Sequence, residues 1–121
     1  MKYKNEVEIR FKDTALYNEY LEKSKDYSND KYKALEIEMN NILMEFSVCM
    51  KSYDYSSKEA LELVKKLQNH ITNNYYHCSN DVLLSLGNMY ISDIRFKNNI
   101  DKFGEGTALF IYQAIKFYVG K

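Results

Sequence analysis

The 121-residue chain contains no proline. Helix interiors exclude proline because it lacks the backbone N–H and its ring clashes with the preceding turn. Glycine, the other residue that punctuates a chain, occurs only at Gly87, Gly104, Gly106 and Gly120. So few breakers favour long helices with short connections over a sheet rich in tight turns. The length is that of one domain, 1–121, and suffices for a core without staples.

Apolar spacing supports the same reading. A weak helix is expected over about 3–11, with Val7 and Phe11 four apart. A second is expected over about 14–24, with Asp13 as N-cap and Leu16, Tyr17, Tyr20 and Leu21 as an aromatic stripe. Both are short, and isolated helices of that length are marginal in water. From about 29 to 52, Leu35, Met39, Ile42, Leu43, Phe46, Cys49 and Met50 recur on one face of a strong helix. Ser56 and Glu59 form a capping box opening a helix that buries Ala60, Val64, Leu67 and Ile71 and ends near Tyr75. Ser79 caps the next, with Val82, Leu83, Leu86, Met89 and Tyr90 inward. Asp93 begins a short helix reaching Lys102. Gly104 and Gly106 supply the turn into a last helix with Ala108, Ile111, Ile115 and Tyr118 buried. Six or seven helices and no strand make an all-α fold.

Composition limits the function classes. Lys+Arg and Asp+Glu both number 17, and the signs interleave along the chain. Gripping a phosphate backbone requires a basic face or stripe, and none is visible, so no nucleic-acid contact is expected from this segment. The start runs into charge rather than an apolar stretch, and no window approaches a membrane span. Two cysteines, Cys49 and Cys78, are too few for a secreted disulfide scaffold. A cytoplasmic protein without membrane contact is the expectation. Zinc is disfavoured because neither a Cys-x-x-Cys nor a closely spaced His pair is present. Fold alone does not warrant haem, so no cofactor is expected. No nucleophile has a recognisable base and orienter, which argues against an enzyme.

Several blocks occur in a fixed order: Leu67-Gln-Asn-His-Ile-Thr-Asn-Asn-Tyr-Tyr-His-Cys78, Leu86-Gly-Asn-Met-Tyr-Ile-Ser-Asp-Ile-Arg-Phe96, Asn99-Ile-Asp101 and Gly104-Glu-Gly-Thr-Ala108. Ala114-Ile115 and Tyr118 follow, and Tyr17, Tyr20 and Lys23-Ser-Lys25 precede them. This pattern resembles the TipA-S-type antibiotic-recognition domain of MerR-family transcription regulators over nearly the whole chain. The resemblance implies a globin-like helical fold whose groove binds bulky antibiotics, thiopeptides or other large, flat natural products. In full-length members a winged helix-turn-helix and a dimerising coiled coil precede the domain. Here Met1 falls at the domain's own start, so a DNA-binding part is expected only in a full-length form. An excised sensor and a free, drug-sequestering short form both fit.

Twelve Tyr and six Phe without Trp bias the chain toward rings with a flat apolar face and a polar tip, which suit polycyclic ligands. The bland account of any one Tyr is core filling with its hydroxyl reaching water. Phe11, Tyr17 and Tyr20 lie on helices too weak to stand alone, as expected of a lid over 1–25 that orders on binding. His70 sits beside the Leu67/Ile71 face, and Tyr75-Tyr76-His77-Cys78 lies at a helix end. Phe46, Met50 and Tyr90 complete the candidate contact set of Phe11, Tyr17, Tyr20, Phe46, Met50, His70, Tyr75, Cys78 and Tyr90.

In the thiopeptide-binding branch of the resembled family a second cysteine follows Cys78 after seven residues. Ser85 stands there instead, so Cys78 is expected to pack rather than to capture a ligand covalently. Arg95 is expected to pair with Asp101. Gly87, within a helix, serves either close packing or room for a ligand. The functional expectation is a drug sensor acting by binding alone; the alternative is a groove for a partner peptide or helix.

Overall fold

The computed structural model describes residues 15–120. These form six helices: α1 Ala15–Ser24, α2 Asn29–Cys49, α3 Lys58–Asn74, α4 Asn80–Ser92, α5 Ile94–Asp101 and α6 Thr107–Gly120. The expected first helix, its residue Phe11 and the Asp13 cap lie outside the described residues. Among the described residues every regular element is helical, in accord with the all-α expectation.

Short polar side chains start the helices by accepting from orphan N–H groups of the first turn. Ser28 does so for Lys31, Ser79 for Val82, and Asp93 for Arg95. The start of α3 corrects the expected capping box: the cap is Ser57, whose hydroxyl accepts from the Ala60 N–H. Ser56 is held in the preceding loop by Asp54, whose carboxylate accepts from its N–H at 3.2 Å. Helix α2 stops at Cys49 rather than near 52, because residues 51–53 turn back onto the Val48 and Cys49 carbonyls.

The core forms where α6 crosses the others. It packs mainly against α4 and also meets α2, α3 and α5. Ala108, Ile111, Ala114 and Ile115 of α6 are fully covered, as are Leu83 and Leu86 of α4. Gly87 permits this approach: a Cβ there would lie 3.3 Å from Ile115 Cδ1. Close packing, rather than room for a ligand, therefore accounts for Gly87. Gly106 has φ +90, a conformation natural only to glycine.

The expected Arg95–Asp101 pair does not form. Arg95 folds back onto Asp93 with two contacts, at 3.2 and 2.9 Å. Asp101 accepts from the Ala108 N–H at 2.9 Å and from Lys97 Nζ at 3.0 Å. Its carboxylate thus caps α6 across the turn and pairs one helical turn back. Burial alone would raise this carboxyl, but the Ala108 N–H and the Lys97 ammonium outweigh burial and hold it below its ordinary value.

Helix α1 is fastened to the C-terminal end of α3 through main-chain groups. Lys23 Nζ donates to the Thr72 carbonyl at 2.7 Å, and the Tyr27 hydroxyl donates to the Asn74 carbonyl at 2.8 Å. The His77 N–H donates to Glu19 at 2.8 Å. Tyr20 is inserted beneath these contacts and is 1% exposed.

Candidate ligand-binding groove

The face of α2 that enters the core is the expected one: Leu35, Met39, Ile42, Leu43, Phe46 and Cys49 are buried. At 100° per residue, Ile37, Met44 and Val48 fall on the opposite side of the helix. They are large, apolar and exposed. Met44 and Val48 form the outer wall of a groove between α2 and α3, and Leu63 faces them from α3. Tyr53, in the connecting loop, closes one end, and the cavity there measures about 790 Å³. Cavities of a few hundred to about 1,000 Å³ are the usual size of small-molecule sites.

A second, more polar hollow of about 470 Å³ continues toward the end of α3, between Glu38 and Ile42 on one side and Asn69, His70, Asn73 and Asn74 on the other. The two share Asn41, Glu45 and Lys66. Lys66 Nζ reaches across to Glu45 Oε1 at 2.7 Å, so an ion pair bars the groove at its middle. The apolar half also carries Glu59 and Glu62 on its rim and Cys49 on its floor. Burial first, and then the Glu59 carboxylate, push the Cys49 thiol up, so it remains a thiol rather than a nucleophilic thiolate.

His70 lines the polar half with its side chain only 7% exposed. Its Nδ1 lies 3.7 Å from Glu38 Oε2 and 3.4 Å from Asn74 Nδ2. Nε2 is buried and makes no hydrogen bond among the described residues. Burial lowers its pKa more than Glu38 raises it, and Lys31 lowers it further. The ring is therefore neutral near pH 7. Tyr75 lies edge-on to it at 5.9 Å, and Tyr20 stacks on Tyr75 at 6.0 Å. One aromatic chain thus runs from α1 to the groove.

Of the expected contact residues that are described, only His70 lines this groove. Tyr20 and Tyr75 stand behind it, covered; burial and the neighbouring Tyr32 hydroxyl push the Tyr20 hydroxyl up. Within the expected stripe on α1, Tyr20 is core, because Tyr75 already occupies one of its faces. Phe46 is fully buried against Phe110. Met50 is half-buried, its sulfur 3.8 Å from Thr107 Oγ1. Tyr90 is core, and Cys78 is 2% exposed, its N–H donating to Thr72 Oγ1 at 3.1 Å. Tyr17 is half-buried on α1, and Phe11 lies outside the described residues. The sequence reading missed Met44, Val48, Tyr53 and Leu63. Their signal was the presence of apolar residues on the side of α2 that should be polar.

Among the described residues no group of three His, Cys, Asp or Glu could hold a metal ion. No helix among them is long and apolar enough to cross a membrane.

Comparison with known proteins gives this geometry a family. The HTH-type transcriptional activator TipA of Streptomyces coelicolor is 29% identical over 114 residues, covering 93% of this chain and 45% of TipA. The HTH-type transcriptional activator mta of Bacillus subtilis is 33% identical over 92 residues, covering 76% of this chain and 35% of mta. The chain thus spans less than half the length of these relatives. Among solved structures, the fold matches Streptomyces lividans TipAS in complex with nosiheptide, from a thiopeptide antibiotic multidrug resistance system. The TM-score is 0.84 at 28% identity, over 98% of this chain and 84% of that one. The model of the TipAS antibiotic-recognition domain matches residues 3–118, and the chain belongs to that family.

Proposed function

We propose that this domain binds bulky, largely apolar antibiotics in the α2–α3 groove and acts by binding alone. The observation that carries the reading is the 790 Å³ cavity walled by Met44, Val48, Leu63 and Tyr53. Three of these side chains are more than 45% exposed, and a ligand that covers them gains the hydrophobic free energy that folding left unused. The relationship to TipAS, itself seen with nosiheptide, supports the same ligand class.

Helix α1 is the element we propose to move as a lid. Glu19, Lys23 and Tyr20 hold it in this position, and the Tyr20–Tyr75–His70 chain connects it to the groove. A ligand that favours one position of α1 shifts its population by the difference in affinity. Where the domain is joined to a DNA-binding part, that shift is the signal; alone, the domain sequesters drug. His70 and Tyr17 are the sequence-derived contact residues retained in this proposal, with Tyr75 and Tyr20 as the packing behind them.

The exposed Ile37–Met44–Val48 stripe favours one rival, a partner helix laid along α2. Titration with nosiheptide, followed by calorimetry, separates the two. The drug reading expects saturable binding that weakens at least about tenfold in a Met44→Gln/Val48→Gln double variant. Leu109→Gln, on exposed α6 surface, should bind like wild type. Absence of saturable binding would favour the helix partner.

A further inference from the structure

The chain as a whole is neutral, but the groove is not. Among the described residues, Glu38, Glu45, Glu59 and Glu62 line it, against one lining cation, Lys66. Lys66 is already committed to Glu45. Glu62 has only an exposed contact with Lys58 at 4.0 Å, which screening leaves nearly without value. Glu59, in the first turn of α3, forms no ion pair among the described residues. Lys31 acts on His70 at the far, polar end. Glu59 and Glu62 border the apolar half, beside Leu63, Val48 and Tyr53.

We infer that the groove selects cationic aromatic ligands, whose rings lie against Met44, Val48 and Leu63 while the positive charge faces Glu59 and Glu62. This rests on the drug-binding reading above and adds a charge to the ligand. Low-dielectric walls focus the field of the carboxylates into the cavity, so a cation entering it feels more attraction than at open surface. The exposed Tyr53 ring adds a face suited to a cation. An anion of the same size meets Glu59, the weakly paired Glu62 and, among the described lining residues, no unpaired ammonium.

Tetraphenylphosphonium and tetraphenylborate, nearly identical in shape and opposite in charge, test this directly by calorimetry on the full chain. The expected result is phosphonium affinity at least about tenfold above that for the borate, eroding as salt is raised. Glu59→Gln/Glu62→Gln should remove most of that preference while leaving the helical spectrum and melting temperature unchanged, since both side chains are exposed. The neutral Met44→Gln/Val48→Gln variant should weaken binding of phosphonium without restoring the borate. Equal affinities, a preference for the borate, or a preference that survives in the double Gln variant would overturn the inference. If nosiheptide binds in a Met44/Val48-dependent way while the two ions bind alike, the groove stands and only its charge selectivity falls. If neither ion nor nosiheptide binds, both readings fall together.

Discussion

The ring of Tyr20, on α1, lies 6.0 Å from that of Tyr75 and 21° from parallel, with both side chains covered. Tyr20 is therefore a core residue as well as part of α1. Tyr20→Ala should destabilise the protein by about 3 kcal/mol, as large-to-small core changes do. Tyr17→Ala, at a half-buried position, should cost about 1 kcal/mol. Denaturant unfolding of the two single variants checks the contrast. Equal, small effects would show that α1 contributes no core.

His70 gives stability a pH dependence. Its folded pKa is lowered, chiefly by burial, so the unfolded chain takes up its proton first. The stabilising contribution is intact above the ordinary value of about 6.5 and is lost as pH falls through that value toward the lowered one. The melting temperature should fall more between pH 7.5 and 5.5 in wild type than in His70→Gln. A fall of equal size in both would remove His70 as its source.

The Glu45–Lys66 pair that bars the groove is half-exposed on both sides. Lys66→Gln should change unfolding free energy by no more than about 0.5 kcal/mol. Removing the cation from the groove should raise affinity for tetraphenylphosphonium about threefold, measured by the same calorimetry. Unchanged affinity would show that Lys66 does not repel the probe.

Asp101 serves two partners and Arg95 neither of them. Asp101→Ala should cost about 1–2 kcal/mol through loss of the α6 cap, and Arg95→Ala, at an exposed position, far less. A double-mutant cycle should find coupling between Lys97 and Asp101 and none between Arg95 and Asp101. Coupling in the second pair would restore the pairing expected from spacing alone.

Acid should act on Asp101 as well. Its pKa is held below the ordinary carboxylate value, so its contribution is present above about pH 4 and is lost as pH falls further. Acid unfolding of Asp101→Asn should show a shallower decline below pH 4 than wild type.

Helical spacing and caps made most of the fold legible. The buried face of α2, the caps Ser79 and Asp93, and the inward side of α6 follow from periodicity and short-range hydrogen bonding, which are local properties of a chain. The groove was not legible, for a physical reason. Asn41, Glu45, Glu59, Glu62 and Lys66 have the composition of a solvated helix face, and only the packing of α2 beside α3 sets them around one groove. The tyrosines misled in the opposite sense. Tyr20, Tyr75 and Tyr90 have the chemistry of ligand contacts, but a ring that can stack on a drug stacks as well on another ring of the same chain. Met44 and Val48 were the readable exception, apolar where the period demanded polar residues.

The attachment of α1 uses the main chain of residues 72, 74 and 77 rather than their side chains. Every amino acid except proline presents the same carbonyl and N–H. Substitutions at Asn74 can therefore alter the rim next to His70 without unhooking α1. Related domains are free to diversify that rim at little cost to how α1 is held.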